Sequence, residues 1–538
     1  MIDDDRSAAA PRRHPPTAPN KPRRRWLGPG GRLAAFGLIP AIWAGVLVVG
    51  AVPTPACGAI STATGDSFAA GDATTATTAT ATPRSGPAIL GAGSGPIDVP
   101  PASTHQKLVF AHYFPPFPIS LDNKPAGVDY YSKNYLSPHG EDGKFASSCG
   151  FLRDRPLPSA PLAGDWKLAN QKTEVSQAIA AGIDGFSIDI LDLTGSNWDA
   201  TVSMMAAAQA VSPNFKIMLM PDMNATTGGY DQATLASKMA TLASFRSAYR
   251  IGTGALMVAP FEAEARTPSW WTSFIGTMSS DYAITVAFMP VFLTTGRNIA
   301  KYAPISYALS SWGARNPESI GNAPDFAAQA HALGKRWMAP IAVQDSRPSK
   351  FVYAESANTE SLRASWGRAI ADGADFAQLI TWNDYSEMTG FAPSVNHGYS
   401  FLDINAYYQT AFQVGSYPAI AREAVFVTHR TQPYNATPVS TNRQMRWWNG
   451  GTSPRDTVEV LTFLNRTATV TVTIGASVQT YAAPAGVSAT LLPLSAGTVT
   501  AVATRGTATI GTVDSPFTVT NTPYVQDEEY FAASSLRP

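Results

Sequence analysis

The sequence has little charge and few cysteines for its length. Only 14% of its 538 residues are charged, and Lys plus Arg and Asp plus Glu each number 39, so the formal net charge is zero. This balance argues against a nucleic-acid partner, because binding nucleic acid requires clustered positive charge. The two cysteines, Cys57 and Cys149, are too few for a disulfide framework, and no Cys/His cluster has the spacing of metal ligands. We therefore predict no metal site and no cofactor.

The N-terminal 57 residues are basic and then apolar. Several Arg and Lys residues precede the uncharged run 33–52, and small residues follow it at "TPACGA". This order predicts an export signal. The run is also long enough to span a bilayer, so an uncleaved membrane anchor is the alternative. A lipoprotein signal ending before Cys57 is disfavoured by Thr54. We expect a protein that is secreted or anchored on the outer face of the cytoplasmic membrane.

Residues 58–104 are rich in Ala, Thr, Ser and Gly and contain almost no large apolar residues. Such a composition cannot bury enough surface to offset chain entropy, so we predict a disordered linker.

Between residues 105 and 430, apolar runs alternate with helix-like stretches. The runs are mostly continuous, which is typical of parallel strands covered on both faces. They are Leu108–Phe114, Gly185–Leu191, Lys216–Met223, Ala255–Glu262, Ile284–Phe292, Ile305–Trp312, Arg336–Gln344 and Phe376–Trp382. Eight such units predict a (β/α)8 TIM barrel. An open doubly wound sheet is the alternative, but no GxGxxG turn follows the first run, which disfavours a dinucleotide-binding version.

Residues 431–538 have a different texture. Segments such as "DTVEVLTFLNRTATVTVTI" are rich in Val and Thr, alternate in polarity and are interrupted by Gly and Pro. They predict antiparallel strands of a C-terminal β-sandwich. No cluster of acids or histidines marks a reaction site there, so we expect an accessory domain.

Acidic residues recur at the ends of the predicted barrel strands, where the chemistry of such barrels is located. They are Asp189, Asp192, Asp222, Glu262, Glu264, Asp345, Asp384 and Glu387. Any single one is more often a helix cap or turn residue. Several on one rim are what glycoside hydrolysis needs, since one carboxyl must donate a proton while another is ionised.

Aromatic residues also follow the predicted strand ends, where they would pack on the C–H faces of sugar rings. Core filling is the alternative for each one, although it is less natural for the doublet in the polar stretch "ARTPSWWTS". They are Trp198, Trp270, Trp271, Trp312, Trp382 and Tyr385.

Five motifs carry a resemblance to a known family. In order they are "KLVFAHYF", "AIAAGIDGFSIDI", "LMPDM", "APFE" and "TWNDYSE", and the tail "ATVTVTIGASVQTYAAPAGVSATLLPLSAG" adds to them. From about residue 107 to 497 the chain resembles glycoside hydrolase family 71. The resemblance implies a secreted α-1,3-glucanase, or mutanase, with a barrel, a β-sandwich and an inverting mechanism. Its polysaccharide substrate would be an α-glucan.

The resemblance also implies the site. The functional acids of the family correspond to Asp384, Glu387 and, on the second strand, Asp189. Glu has the higher unperturbed pKa, so we predict Glu387 as general acid and Asp384 as general base. The pair could lie on one side of a helical turn or diverge around a bend. The residues expected to contact substrate are His112, Tyr113, Asp222, Glu262, Trp312, Trp382, Asn383 and Tyr385.

Three residues of that motif have specific expected roles, and two other functions remain open. Asn383 would hold a sugar hydroxyl or orient a carboxylate, while Trp382 and Tyr385 would wall the groove. One alternative is an endo-α-mannosidase or mannanase of the related family 99, which has a "WNEW"-like block on its last strand. The other is a non-catalytic polysaccharide-binding protein.

Overall fold

A computed structural model describes residues 95–441, 443–448 and 450–537. The predicted export signal or anchor therefore lies outside the described residues, as does most of the predicted linker. Of the last ten linker residues, 95–100 lie against the folded chain, whereas 101–104 are exposed. Ile97 is buried, and Arg422 donates hydrogen bonds to the carbonyls of Gly95 and Ile97. None of the helices in the described ranges combines the length and apolar character needed to cross a membrane.

The N-terminal part is built on a nine-stranded sheet in which all neighbouring strands are parallel. Numbering all strands along the chain, its members are β1 (Leu108–Tyr113), β2 (Gly185–Ile190), β3 (Lys216–Pro221), β4 (Leu256–Val258), β5 (Val286–Phe288), β6 (Val291–Phe292), β7 (Ala308–Ser311), β8 (Arg336–Ala342) and β11 (Phe376–Ile380). Each of the eight apolar runs contains at least one of these strands, so the prediction of a parallel sheet is confirmed.

The sheet order is β5-β4-β3-β2-β1-β11-β8-β7-β6. The two outermost strands, β5 and β6, are consecutive in the chain and both come from the predicted fifth run. Phe261, just beyond β4, also forms a parallel bridge with Val291 of β6. Because these two strands lie next to each other in the chain but at opposite ends of the sheet order, the sheet must curl to bring its two edges together.

Helices connect the strands. They are α1 (Tyr130–Asn134), α2 (Trp166–Ala180), α3 (Gly195–Val211), α4 (Gln232–Ala243), α5 (Pro268–Tyr282), α6 (Thr295–Tyr302), α7 (Pro317–Gly321), α8 (Phe326–Ala332), α9 (Glu360–Ala371) and α10 (Ser400–Val414). Helices α8 and α9 are followed by Gly334 and Gly373, each at φ +68°, the left-handed conformation that glycine adopts at helix ends.

Both faces of the curled sheet are apolar, which explains the continuous runs in the sequence. In β1, Val109, Ala111 and Tyr113 belong to the large core cluster beneath the helices. Phe110 points to the other face, into a methionine-rich cluster with Met218, Met220, Met257, Met289 and Met338. The inside of the curl is thus a packed core, and the site must lie at the strand ends.

The C-terminal part contains two four-stranded antiparallel sheets. Their orders are β17-β14-β12-β20 and β16-β15-β18-β19. The strands are β12 (Ala424–His429), β14 (Thr457–Leu464), β15 (Ala468–Ile474), β16 (Ser477–Ala483), β17 (Gly486–Pro493), β18 (Val499–Arg505), β19 (Ala508–Asp514) and β20 (Phe531–Ser534). One apolar cluster draws residues from both sheets, for example Val460 and Val472.

A third, small sheet joins the two parts of the chain. Its strands are β9 (Asp345–Arg347), β10 (Val352–Ala354) and β13 (Arg446–Trp447), in the order β13-β10-β9. Strand β13 comes from the C-terminal part and runs parallel to β10, with Tyr353 opposite Trp447. The C-terminal part therefore pairs with the segment that follows the carboxyl end of β8.

Candidate active site

The carboxyl ends of β1, β2 and β3 bring three predicted site residues together. His112 of β1 and Asp189 of β2 are both buried, with 3.6 Å between Nε2 and Oδ2. Asp222 follows β3, and its Oδ1 accepts hydrogen bonds from the backbone N–H groups of Asn224 and Ala225. Asp222 is thus both a turn residue and a member of the cluster. Oδ1 of Asp189 has no hydrogen-bond partner among the described residues.

The loop after β11 carries the two central carboxyls. Asp384 Oδ1 accepts hydrogen bonds from the backbone N–H groups of Ser386 (2.9 Å) and Glu387 (3.2 Å) and from the Ser386 hydroxyl (2.6 Å). The Asp384 N–H donates to Thr381 Oγ1. These bonds fold residues 384–387 into a tight turn, so the pair follows a bend and not a helix.

Two arginines that the sequence analysis missed lie beside Glu387. Arg347 of β9 is 2.9 Å from Glu387 Oε2 through Nη2, and it forms two hydrogen bonds with Asp345. Arg315, in the loop after β7, is 3.6 Å from Asp345. The only sequence signal for this pair is the presence of arginine near strand ends in a chain with little charge. Glu387 keeps a quarter of its side chain exposed, so it faces solvent while it is held by Arg347.

The carboxyls of this site perturb one another. Burial raises the pKa of Asp189 well above its usual range, and the charge of Asp384 adds to the effect. Burial also raises the pKa of Asp222 to about 8, with Asp189 as the second cause. Glu262 follows the same pattern, its pKa raised to about 7 by burial and then by Glu264 and Asp222. Carboxyls this close cannot all be ionised at neutral pH.

Asp384 and Glu387 differ in which groups oppose the rise in pKa that burial causes. Burial raises the pKa of Asp384, but the hydrogen bonds from Ser386, the charge of Arg347 and the Glu387 N–H all lower it. Burial raises the pKa of Glu387 to about 8, opposed by Arg347 and reinforced by Asp384 and Asp345. His112 is affected in the other direction, since burial lowers its pKa to about 4 and keeps it neutral.

Glu262 and Trp312 border the carboxyl cluster. Glu262 has φ +48°, a left-handed conformation that is uncommon for a residue with a side chain and often marks functional sites. Trp312, directly after β7, is partly exposed. Its ring centroid is 4.9 Å from that of His112 and 4.7 Å from that of Phe261. Trp312 therefore stands as an aromatic wall beside the carboxyls.

Three of the predicted substrate contacts lie in the core instead of the groove. Trp382 is fully buried and packs on Phe186 with ring centroids 5.2 Å apart. Tyr385 is 2% exposed and belongs to a cluster with Phe117 and Tyr131. Tyr113 is also fully buried, and its hydroxyl donates to a buried glutamate on α2. These residues shape the site from behind, because their side chains have no access to a ligand.

Asn383 is committed to the backbone. Its Nδ2 donates to the carbonyls of Phe114 and Phe117, and its Oδ1 accepts from the Phe114 N–H. The side chain is buried and both of its amide hydrogens are used, so it joins the loop after β11 to the loop after β1. This arrangement replaces the expected contact with a sugar hydroxyl.

Other residues from the strand-end set are structural. Trp271 of α5 is fully buried, and its indole N–H donates to the Ala263 carbonyl, so the stretch "ARTPSWWTS" begins a helix and is not a loop. Trp198 lies on α3, where it packs on the outer core.

Glu264 accepts the N–H groups of Leu293 and Thr294. Asp192 accepts the Thr194 N–H. The cap, turn and core alternatives hold for this group.

No group of three or more His, Cys, Asp or Glu side chains in the part of the chain that the structure describes is placed to hold a metal ion.

The family model described as Glycosyl hydrolase family 71 matches residues 162–533. The chain belongs to this family. The matched range contains four of the five motifs and the C-terminal tail, whereas the first motif, on β1, precedes it. Membership makes the protein a glycoside hydrolase, which confirms the prediction from the motifs.

Individual relatives agree with this assignment. The glucan endo-1,3-alpha-glucosidase agn1 of Schizosaccharomyces pombe is 24% identical over 61% of this chain and 82% of the relative. The ascus wall endo-1,3-alpha-glucanase of the same organism is 23% identical over 43% of this chain and 56% of the relative. A mutanase of Penicillium rubens is 25% identical over 44% of this chain and 52% of the relative.

Solved structures were also compared. The GH99 endo-alpha-mannosidase from Bacteroides thetaiotaomicron is similar at 12% identity and a TM-score of 0.41, over 56% of this chain and 97% of that structure.

Proposed function

We propose that this glycoside hydrolase cleaves α-1,3-glucosidic bonds in α-glucan with inversion of configuration. The names of its relatives, glucan endo-1,3-alpha-glucosidase and mutanase, support this substrate. The observation that carries the mechanism is the turn after β11, which holds two carboxyls of one cluster in different surroundings. Glycoside hydrolysis needs such a pair, one protonated and one ionised.

In this mechanism Glu387 is the general acid. Its raised pKa, about 8, keeps it protonated at neutral pH, and its partial exposure lets it reach the glycosidic oxygen. Asp384 is the general base, because three hydrogen-bond donors favour its ionised form. It removes a proton from the water that attacks the anomeric carbon. Asp189 is the third carboxyl of the cluster, and its electrostatic interaction with Asp384 couples it to the base.

The remaining contacts follow from exposure and position. Trp312 packs on a sugar ring, and Glu262 and Asp222 accept hydrogen bonds from hydroxyls. His112 is neutral and lies against Trp312, so it completes the floor of the groove. The three residues in the core, Tyr113, Trp382 and Tyr385, contribute only through packing.

We also propose the finer architecture. The position of β5 and β6 at opposite ends of the sheet order supports a closed (β/α)8 barrel over residues 105–430. The apolar cluster shared by the two C-terminal sheets supports a β-sandwich accessory domain near residues 431–538, although its first strand, β12, already starts at Ala424.

We propose that the protein acts outside the cytoplasm. The basic and then apolar N-terminal sequence over residues 1–57 supports an export signal or anchor.

The test uses purified protein with α-1,3-glucan, α-mannan, dextran and starch, scored by new reducing ends. We expect cleavage of α-1,3-glucan, with the β-anomer as first product by NMR because an inverted α-bond gives a β-product. Glu387→Gln and Asp384→Asn should each lose at least about a hundredfold in turnover, the usual range for acid or base catalysis. An α-1,3-oligoglucosyl fluoride, which needs little acid catalysis, should partly restore Glu387→Gln.

Each part of the proposal has its own contradicting result. Cleavage of α-mannan but not of α-1,3-glucan would contradict the proposed substrate. An α-anomer as first product would contradict the inverting mechanism and indicate retention. Near-normal turnover by either variant would remove that residue from the reaction.

A further inference from the structure

Trp448 belongs to the C-terminal part of the chain but lies beside the candidate site. The guanidinium carbon of Arg347 is 5.2 Å from the centre of the Trp448 ring, over its face. The same guanidinium is 2.9 Å from Glu387 Oε2. Only one side chain therefore separates the indole from the proposed general acid.

The backbone fixes Trp448 to the barrel on both sides. Before it, β13 pairs with β10, and the Trp448 N–H donates to the Tyr353 carbonyl at 2.8 Å. After it, Thr452 Oγ1 accepts the Glu318 N–H at 3.0 Å. Trp447, its neighbour, packs on the cluster of Phe351 and Tyr353. The position of Trp448 is thus set by the barrel and not by the C-terminal sheets.

The Trp448 side chain is only partly used for packing. It is 36% exposed, whereas Trp271, Trp366 and Trp382 are fully buried. One face of the indole is covered by the Arg347 guanidinium that also contacts Glu387, and part of the remaining ring surface is open to solvent. Flat, rigid aromatic surface beside a polar site suits the C–H face of a sugar ring.

We propose that Trp448 is a stacking platform for glucan on the leaving-group side of the scissile bond. The side follows from Glu387, because the general acid protonates the oxygen that departs with the leaving sugar. Sugar rings that continue beyond that oxygen meet the surface next to the acid. The C-terminal part thereby contributes directly to substrate binding. This inference rests on the proposed function.

The experiment compares two substrates that differ in their leaving group. An α-1,3-gluco-oligosaccharide places sugars on the leaving-group side, whereas an α-1,3-oligoglucosyl fluoride releases only fluoride. Trp448→Ala should lower kcat/KM on the oligosaccharide roughly two- to tenfold, mainly through KM, as expected for one aromatic contact. The same variant should leave kcat/KM on the fluoride unchanged.

Two further variants control for structure. Trp448→Phe retains a ring and should recover most of the oligosaccharide activity. Tyr524→Ala removes an aromatic that is 59% exposed elsewhere in the C-terminal part, and it should change neither substrate. Wild-type protein that cleaves no α-1,3-glucan would defeat the proposed function and this inference with it. Active wild-type protein with an equal loss on both substrates, or with no loss on the oligosaccharide, would overturn the platform alone.

Discussion

Asp384 and Glu387 carry the same functional group three positions apart, and burial raises the pKa of both, but different groups oppose that rise. Asp384 has its donors built into the turn, since two of them are backbone N–H groups. In the part of the chain that the structure describes, Glu387 has Arg347 as its ion-pair partner, and Arg347 is shared with Asp345. The local turn therefore sets the surroundings of Asp384, and a residue from a distant strand sets those of Glu387.

This shared arginine gives a prediction about pH. Arg347 lowers the pKa of Glu387 and Asp345 raises it. In the proposed mechanism Glu387 must be protonated to act, so the alkaline limb of kcat/KM should move to higher pH in Arg347→Gln and to lower pH in Asp345→Asn. The measurement is the pH profile of both variants on α-1,3-gluco-oligosaccharide.

Arg347→Lys, which keeps the positive charge, serves as the control and should leave the limb close to that of the wild type. Shifts in the same direction for Arg347→Gln and Asp345→Asn would contradict the assignment of Glu387 as the acid. Unfolding midpoints of all three variants separate a loss of folding from a change in titration.

The sequence located the acids better than the aromatics. The acids follow strands whose ends must meet at one rim in a parallel sheet, so Asp189, Asp222 and Asp384 could be predicted from the order of elements alone. The face that a side chain takes at a strand end depends on the loop that follows. For that reason Trp382 and Tyr385 were expected in the groove but lie in the core.

At the scale of elements, the sequence predicted the strands of the parallel sheet and missed the pairing of β10 with β13. Apolar runs identify β1 to β8 and β11 because those strands are covered on both faces. The pairing of β10 with β13 joins residues nearly a hundred positions apart, and both strands are only two or three residues long. Local patterns do not report such short, distant pairs. That is why Arg347 and Trp448 were not predicted at the site.

Helix ends allow a matched test of backbone conformation. Gly334 follows α8 at φ +68° and Gly367 lies within α9, and an added Cβ would meet nothing within 4 Å at either position. Gly334→Ala should destabilise the protein by about 1 kcal/mol, because a residue with a Cβ is strained in the left-handed region. Gly367→Ala should stabilise it by about 0.5–1 kcal/mol through helix propensity.

Urea unfolding of both glycine variants gives the two free energies. Since neither added methyl group has a contact, changes of opposite sign in the two free energies of unfolding can be attributed to backbone conformation. The same sign for both would show that the helix end at α8 is not set by Gly334.

For the whole molecule, the two parts of the chain are joined by buried charge as well as by apolar contacts. Arg430 is 2.7 Å from Glu355 through Nη2 and 3.0 Å from Glu528 through Nε. Phe426 and Phe463 of the C-terminal sheet belong to the same core cluster as the barrel strands. The C-terminal part therefore shares core packing and buried charge with the barrel part, which composition alone did not indicate.

A group of buried carboxyls lies at this junction. Asp154, before α2, accepts the N–H groups of Arg155 and Asn396 and is 3.6 Å from His397. Glu529, before β20, accepts hydrogen bonds from Gln344 and Asn396. Asp527 accepts the Glu529 N–H, and its opposing cations are Arg153 and Arg430.

The titration of this group predicts how stability depends on pH. Burial raises the pKa of Asp154 to about 7 and that of Asp527 to about 6, and it raises the pKa of Glu529 well above its usual range. In the unfolded chain these groups titrate near pH 4. Between about pH 4 and 7 the folded state therefore binds more protons, so the free energy of unfolding should fall as pH rises through this interval.

Asp154→Asn tests this prediction because its amide is neutral at every pH and close in shape to the protonated acid. The unfolding midpoint of the wild type should fall from pH 5 to pH 7.5, and the fall should be smaller in Asp154→Asn. Asp514→Asn, which changes an exposed aspartate at the end of β19, should follow the wild type. Parallel curves for Asp154→Asn and the wild type would mean that Asp154 is ionised in the folded protein across this range. Proton uptake at Asp154 would then not contribute to holding the two parts together.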